Sequence, residues 1–193
     1  MSDPIVTLLT DFGWKDSYVA QMKGVILGIA PSARLVDVTH DIPPQDVAMA
    51  SRMLASILPV FPPGTIHSCV VDPGVGGDRC FLLVRTQGQT IIAPDNGLIS
   101  SLLQTAEGIE IREMSETWFR RIPFSSTFHG RDLVAPAAGH LAAGIPPERF
   151  GPVFSRNPLR IEVPRPSIYP WGVKGEVVDI DHFGNLLTNI TPD

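Results

Sequence analysis

The chain has 193 residues, of which 44% are hydrophobic, and a net charge of −5 at pH 7. This length is enough for one sizeable core and the beginning of a second domain. The Lys and Arg residues are scattered singly, which argues against a nucleic-acid-binding protein. No apolar run approaches the roughly 20 residues of a membrane span, and the N-terminus is acidic where a signal peptide is basic. Cys69 and Cys80 lack CxxC spacing, so we expect free thiols and a cytoplasmic protein.

The first sixty residues alternate between strand and helix patterns. The apolar run "IVTLL" (5–9) ends at Thr-Asp-Phe-Gly, and residues 16–30 then place apolar side chains at helical spacing. "RLVDVT" (34–39) and "PPQDVAMASRMLASIL" (43–58) repeat the pattern, with prolines at the predicted helix start and Asp46 in its first turn. Two successive strand–helix units predict a parallel α/β sheet.

Three more strands are predicted after these units, in "IHSCVV" (66–71), "CFLLVR" (80–85) and "TIIA" (90–93). A Gly-rich loop separates the first two, and a tight turn separates the last two. "PDNG" (94–97) is predicted to cap a helix over 98–104, followed by a strand over 108–113. A further helix is predicted over 131–144, tolerating a proline near its start.

A change in composition marks a domain boundary. Residues 146–170 are rich in proline, and "PRPSIYP" (164–170) predicts a semi-rigid linker. Beyond it, "GVKGEVVDI" and "LLTNI" predict two strands joined by the turn "DHFGN". We therefore predict an α/β domain over residues 1–165, with a mixed or parallel sheet flanked by helices. Residues 166–193 form the linker and the first hairpin of a small, barrel-like all-β domain.

Polar groups concentrate in four loops beside apolar strands. Two of them, at Asp11 and at Asp72, follow strands directly, and ligands of open α/β sheets collect beyond the carboxyl ends of strands. Asp11 can accept hydrogen bonds from both hydroxyls of a ribose, although a helix cap or turn explains an Asp there as well. In "DPGVGGDR" a strand follows the glycines, which excludes a phosphate-binding loop. A compact turn here brings Asp72 and Arg79 face to face, either as a functional pair or as a hairpin-end salt bridge.

His129 immediately precedes a predicted helix, where free N–H groups favour an anion or a neutral imidazole. Gly130 beside it permits close approach of a ligand. A single His before a helix is also an ordinary hydrogen-bonding residue. The other histidines show no HxxH or HExxH spacing, so a zinc site is not predicted.

Six segments of the sequence, taken in chain order, carry a family resemblance. They are "TDFGWKDSYVAQMKG", "THDIPPQDV", "VDPGVGGDR", "APDNGL", "STFHGRD" and "DHFGNLLTN". With these segments the sequence resembles the S-adenosylmethionine hydroxide adenosyltransferases, adenosine-forming hydrolases related to fluorinase and chlorinase, over essentially its whole length.

This resemblance implies hydrolysis of S-adenosyl-L-methionine to adenosine and L-methionine by an activated water at ribose C5′. It places the water-activating groups on Asp72, Arg79 and His129. Gly130 falls where fluorinase has a serine that helps to hold fluoride, and a glycine fits both hydrolase and chlorinase. The implied substrate-binding residues are Asp11 for the ribose hydroxyls, Phe128 and Phe183 around the nucleoside, Asn185 at adenine, and Asp181 at the methionine amino group.

The same resemblance implies no cofactor and no metal, since S-adenosylmethionine is the substrate. It also implies a homotrimer whose sites lie between the N-terminal domain of one subunit and the C-terminal domain of its neighbour. The family has a complete C-terminal β-barrel, whereas this sequence stops at Asp193. A protein that ends there is expected to bind the substrate weakly and to show little or no turnover.

Three other functions stay open at this point. The first is a halogenase of the same family, which the presence of both Asp72 and His129 argues against. The second is a non-catalytic protein that binds S-adenosylmethionine or adenosine. The third is a metal-dependent hydrolase built on Asp72, Asp78, His129 and Asp132, although these residues lack ligand spacing.

Overall fold

A computed structural model describes residues 3–190 and divides the chain into two compact units, Met1–Ile161 and Glu162–Asp193. The N-terminal unit contains one six-stranded sheet with helices on both faces. Its strands are β1 (Ile5–Thr10), β2 (Arg34–Thr39), β3 (Ile66–Val70), β4 (Phe81–Thr86), β5 (Gln89–Pro94) and β6 (Glu110–Glu113). Its helices are α1 (Tyr18–Ile29), α2 (Val47–Ile57), α3 (Leu102–Thr105), a π-helical turn (Gly130–Val134), α4 (Ala135–Ala142) and a 3₁₀ turn (Pro147–Phe150).

The sheet is mixed, which confirms the predicted fold class. The strand order is β2-β1-β3-β5-β4-β6, with β2, β1, β3 and β5 parallel and with β4 antiparallel to both of its neighbours. A two-residue turn joins β4 to β5, where Gln87 and Gly88 both have positive φ angles, of 50° and 74°. This conformation matches the right-handed twist of a hairpin.

Alternation along β1 divides the core between the two faces of the sheet. Val6 and Leu8 pack in one apolar cluster with residues of α1 and α4. Leu9 belongs to a second cluster, which includes residues of α2 and α3. The central strands are therefore covered on both sides, as parallel strands generally are. Among residues 3–190, no helix is long and apolar enough to cross a membrane.

Two helices differ from the prediction. The helix expected over 98–104 is confined to α3, because the preceding residues form tighter turns, including a Ser100 N–H bond to the Gly97 carbonyl. The helix expected over 131–144 begins with the π-helical turn and becomes α-helical only at Ala135. A π-helical turn widens the backbone locally and is frequent at functional sites.

The C-terminal unit contains two antiparallel strand pairs. The predicted hairpin is present, but the single strand expected over residues 172–180 is interrupted, so that only β9 (Val177–Ile180) pairs with β10 (Leu186–Thr188). The predicted linker instead contains β7 (Ser167–Tyr169), which pairs with β8 (Gly172–Lys174). The prolines of this segment flank β7, so its own N–H groups are free to pair.

Candidate active site

A cavity of about 490 Å³ lies at the carboxyl ends of β1 and β3. These strands are neighbours in the sheet, but the chain leaves β1 toward β2 and leaves β3 toward β4 and β5, on the opposite side. Such a switch point opens a crevice between two loops, and open α/β sheets bind ligands there. The loop after β1 contributes Asp11 and Phe12, and the loop after β3 contributes Asp72.

Asp72 and Arg79 form a nearly buried ion pair beside this cavity. The Arg79 Nε–H lies 3.0 Å from each Asp72 carboxylate oxygen, and the Arg79 Nη2 group also donates to Oδ2. The side chains are only 4% (Asp72) and 10% (Arg79) exposed. Gly74 makes room for this pairing, because a Cβ at that position would lie 3.3 Å from Arg79 Cδ. The face-to-face contact predicted for the Gly-rich loop is therefore present.

His129 joins the pair through the same guanidinium. Arg79 Nη2 lies 2.7 Å from His129 Nδ1. A guanidinium can only donate, so Nδ1 is the acceptor and the proton of the neutral imidazole resides on Nε2. Burial and the positive charge of Arg79 lower the pKa of His129 below its ordinary value, although Asp72 partly opposes them. The imidazole is thus held neutral with a defined tautomer.

Aromatic rings fix the plane of the His129 imidazole. The ring of Phe124 lies 5.0 Å from it at a tilt of 31°, and the ring of Phe81 meets it edge-on at 6.0 Å. The Arg79 guanidinium lies 4.9 Å from the Phe81 ring, which also restrains the arginine. Phe124 and Phe81 therefore limit the orientations open to the His129 imidazole, and Phe81 also restrains Arg79.

A second group of aromatic rings forms the apolar wall of the cavity. Phe12, Tyr18 and Phe128 pack edge to face at centroid distances of 5.1 to 6.0 Å. Gly130 lies against this wall, since a Cβ there would come within 3.2 Å of the Phe12 ring and of Met22 Sδ. Gly130 thus permits close packing of a protein ring, in addition to the close ligand approach that the sequence predicts.

Asp11 lines the cavity from the turn that ends β1. Its Oδ2 accepts a hydrogen bond of 2.9 Å from the backbone N–H of Gln45, a residue with a φ angle of 69°. A carboxylate held by one oxygen retains lone pairs for further donors, as two neighbouring hydroxyls of a ribose require.

Sequence reasoning did not assign Tyr18 or Arg131 to the site, and it considered Asp132 only as a possible metal ligand. Tyr18 and Arg131 line the cavity, and Arg131 lies 4.9 Å from the Phe128 ring. Asp132 is fully buried and accepts bonds from Arg131 Nε at 2.7 Å and from Ser125 N at 2.8 Å. Arg131 and Asp132 stand in the quoted segment "STFHGRD", so their position beside His129 was the available signal.

The remaining predicted binding residues belong to the C-terminal unit and form a local cluster in the β9–β10 loop. Asp181 Oδ1 accepts from the backbone N–H groups of Phe183 and Asn185, at 2.9 and 2.8 Å. Asp181 Oδ2 accepts from Asn185 Nδ2 at 2.7 Å. The hydrogen bonds from Asn185 and Phe183 lower the pKa of Asp181 below its ordinary value. The Phe183 side chain is 86% exposed.

Two of the carboxylates considered for a metal site are paired with arginines. Asp72 is paired with Arg79, and Asp132 is paired with Arg131. Within the part of the chain that the structure describes, no three His, Cys, Asp or Glu side chains approach closely enough to hold a metal ion.

Comparison with known proteins identifies a family model that matches residues 6–151, the SAM hydroxide adenosyltransferase N-terminal domain. An (R)-S-adenosyl-L-methionine hydrolase of Thermus thermophilus is 39% identical, over 96% of this chain and 74% of its own length. A hydrolase of the same name from Salinispora arenicola is 37% identical, over 96% of this chain and 71% of its length. A fluorinase of an Actinoplanes species is 34% identical, over 97% and 72%.

A solved structure supports the same relationship. A crystal structure of an uncharacterized conserved protein from Thermotoga maritima superposes with a TM-score of 0.91 at 39% identity. The match covers 96% of this chain and 71% of that protein.

Proposed function

The chain belongs to the SAM hydroxide adenosyltransferase family, and from this premise we propose that it hydrolyses S-adenosyl-L-methionine to adenosine and L-methionine. The observation that carries the proposal is the contact of Asp72, Arg79 and His129 beside a partly apolar cavity. Relatives named as hydrolases of this substrate lend support.

The reaction is a displacement at ribose C5′. The water oxygen forms a bond to C5′ while the bond from C5′ to the sulfonium sulfur breaks, and the electron pair of that bond leaves with sulfur as neutral methionine. A sulfonium is already an excellent leaving group, so the protein needs no general acid and no cofactor. What the protein supplies is an oriented nucleophile. Such orientation lowers the activation barrier by about 7–11 kcal/mol in well-aligned cases.

The geometry also favours one residue as the proton acceptor. His129 uses its Nδ1 lone pair on Arg79, so its Nε2 carries a proton and can donate to the water oxygen. The ionised carboxylate of Asp72 can accept, and Arg79 holds it in place. We assign the general base to Asp72 and water orientation to His129, with Arg79 stabilising the developing hydroxide. General-base catalysis contributes about 10²- to 10⁴-fold.

The substrate-binding roles rest on the same premise. Asp11 would accept the ribose hydroxyls, with Phe128 and Gly130 beside the nucleoside. In the C-terminal unit, Asp181, Phe183 and Asn185 would contact the methionine amino group, the nucleoside and adenine. A homotrimer with sites between subunits is part of the proposal, supported by exposed large side chains such as Trp171, which is 77% exposed. Free thiols at Cys69 and Cys80 support a cytoplasmic location.

Chromatography of the products tests the proposal. The protein, incubated with S-adenosylmethionine in chloride buffer, should release adenosine above the uncatalysed background, and Asp72→Asn should abolish the excess. The exposed Asp3→Asn is the matched control and should behave like the unmodified chain, because Asp3 pairs with the exposed Arg34 and does not line the cavity. Absence of adenosine from the folded protein, with S-adenosylmethionine still bound in calorimetry, would identify a binding protein instead.

The related fluorinases make a halogenase the second candidate. A halide nucleophile carries no proton, so it has no use for a base at Asp72. The same chromatogram separates the two functions, because a halogenase would yield 5′-chloro-5′-deoxyadenosine in chloride buffer in place of adenosine.

A further inference from the structure

A network of hydrogen bonds links the end of β1 to residues of β2 and α1. Thr10 Oγ1 lies 2.8 Å from His40 Nδ1, and His40 Nε2 lies 2.9 Å from Asp37 Oδ1. Lys23 Nζ lies 2.6 Å from Asp37 Oδ2. Thr10 and His40 are fully buried. Buried polar groups are costly unless each one is satisfied, so a connected set of this kind has a defined geometry.

The direction of each hydrogen bond in this network follows from which side chains can donate and which can accept. A lysine only donates and a carboxylate only accepts, so His40 Nε2 donates to Asp37. Burial raises the pKa of Asp37, but hydrogen bonds from Lys23 and His40 outweigh it and keep the pKa below its ordinary value. In the neutral imidazole, Nδ1 then accepts from the Thr10 hydroxyl. That hydroxyl oxygen in turn accepts the backbone N–H of Phe12, at 3.2 Å.

His40 holds the loop at a second point. Its carbonyl oxygen accepts the Gly13 N–H at 2.8 Å. The ring of Trp14 meets the imidazole edge-on at 4.7 Å, and Lys23 Nζ lies 5.7 Å from that same ring. The backbone N–H groups of Phe12 and Gly13 are therefore both tied to His40, one through Thr10 and one directly.

The residues between these ties are the ones that line the cavity. Asp11 and Phe12 both lie on its wall, although His40 itself does not. We propose that His40 is a positioning residue for the substrate site: supported by Asp37 and acting through Thr10, it fixes the backbone of residues 10–13 and so places Asp11 and Phe12. The identity of the ligand in this inference rests on the proposed function, whereas the ordering of the loop does not.

The same strand contains a matched control. Thr7 Oγ1 lies 2.8 Å from His67 Nδ1, and His67 Nε2 lies 2.6 Å from Gln89 Oε1. Gln89 in turn donates to the carbonyls of Leu58 and Phe61. Thr7 and His67 are fully buried, like Thr10 and His40, but they support the region after α2 and line no part of the cavity.

Valine substitutions compare the two threonines. Thr10→Val and Thr7→Val each remove one buried hydroxyl and should lower Tm similarly. Only Thr10→Val should lower kcat/KM and weaken adenosine binding, by about 10- to 100-fold for a displaced site. Thr10→Ser keeps the hydroxyl and should restore most of both. Equal kinetic losses in the two valine variants, or none in Thr10→Val, would overturn the proposal.

Amide hydrogen exchange separates this proposal from the proposed function, because it needs no ligand. Thr10→Val should accelerate exchange at Phe12 and Gly13, and Thr7→Val should leave those two amides unchanged. Unaltered exchange at both amides in Thr10→Val refutes the positioning role, whatever the activity. A chain that releases no adenosine yet shows the selective acceleration at both amides contradicts the proposed reaction and leaves the Thr10–His40 contact as the support of the loop.

Discussion

Two aspartates, one in each unit of the chain, organise loops in opposite surroundings. Asp72 has a side chain that is 4% exposed, and it faces the charged guanidinium of Arg79. Asp181 lies in an exposed hairpin loop, where it accepts backbone N–H groups and one side-chain amide. Both make at least three hydrogen-bonding contacts. The charge of Asp72 is neutralised by an arginine inside the protein, whereas the carboxylate of Asp181 orders an exposed loop.

Burial determines what each arrangement is suited to. In a buried charge pair, the loss of either partner leaves the other charge uncompensated in a region of low dielectric. The two side chains are therefore held together. The exposed loop is ordered by its own backbone, and it leaves the ring of Phe183 open to the surroundings. We therefore expect changes around Asp72 to affect both folding and turnover, and changes around Asp181 to affect substrate binding alone.

The largest effect is expected from Arg79→Met, which leaves Asp72 buried without its partner. The free energy of unfolding should fall by about 3–5 kcal/mol. The value of kcat should fall by about 10²- to 10³-fold, since a charged donor to the nucleophile is lost. Urea denaturation and adenosine release measure the two quantities.

The exposed pair of Arg34 and Asp3 provides the control for this variant. The Arg34 side chain is 70% exposed, so Arg34→Met should cost at most about 1 kcal/mol. A similar loss of stability in both arginine variants would show that burial of the Asp72 pair has no special weight.

Acid should weaken the fold through its histidines. Burial lowers the pKa of His67, His129 and His140 below the ordinary value of 6.5. Below 6.5 the unfolded chain therefore binds protons that the folded chain does not, and the free energy of unfolding should decrease as pH falls through that value. Above it, this contribution is fully present. Urea midpoints on both sides of that pH measure the slope, and His140→Gln should reduce it.

Titration of His129 by NMR tests how the charges of Arg79 and Asp72 act on the imidazole within the site. Arg79 lowers the pKa of His129 and Asp72 raises it. Arg79→Met should therefore raise the pKa of the imidazole, and Asp72→Asn should lower it further. Shifts of the same sign in both variants would contradict the charge arrangement described for the site.

A smaller effect is expected from Gly74→Ala. The added Cβ would lie 3.3 Å from Arg79 Cδ, so the arginine must move by a few tenths of an ångström. Up to about tenfold of kcat should be lost, because catalysis is sensitive to misplacement on this scale. Gly24→Ala in α1 is the control, since a Cβ there meets nothing within 4 Å. Equal kcat values in the two alanine variants would remove the argument for Gly74.

The smallest effect on the fold is expected from Asp181→Asn. This variant keeps an acceptor for the backbone N–H groups but loses the charge and the acceptor for Asn185 Nδ2. We expect a higher KM for S-adenosylmethionine, with Tm and kcat close to those of the unmodified chain. A fall in Tm as large as that of Arg79→Met would erase the distinction between the two aspartates.

The sequence was sufficient to predict which loops meet at the candidate site. Asp11 and Asp72 each follow an apolar strand, and parallel strands bring such loops to one edge of the sheet. The pairing of Asp72 with Arg79 also followed from the compact loop that joins them. These are short-range inferences, in which strand periodicity and loop length constrain the answer.

The rest of the site depends on contacts that no local pattern encodes. His129 reaches Arg79 across 50 residues of chain, and its helix begins as a π-helical turn where an α-helix was predicted. The packing of Gly130 against Phe12 joins segments from opposite ends of the unit. The bond from Thr10 to His40 joins the last residue of β1 to the residue that follows β2. Tertiary packing decides each of these.

The most direct test of the central claim is to follow the oxygen. The protein is incubated with S-adenosylmethionine in heavy-oxygen water, and the adenosine is analysed by mass spectrometry. If Asp72, Arg79 and His129 activate a solvent water, the 5′-hydroxyl oxygen of adenosine will carry the heavy isotope, and His129→Ala will suppress its formation. Adenosine without the heavy oxygen, or undiminished formation in His129→Ala, would contradict the account.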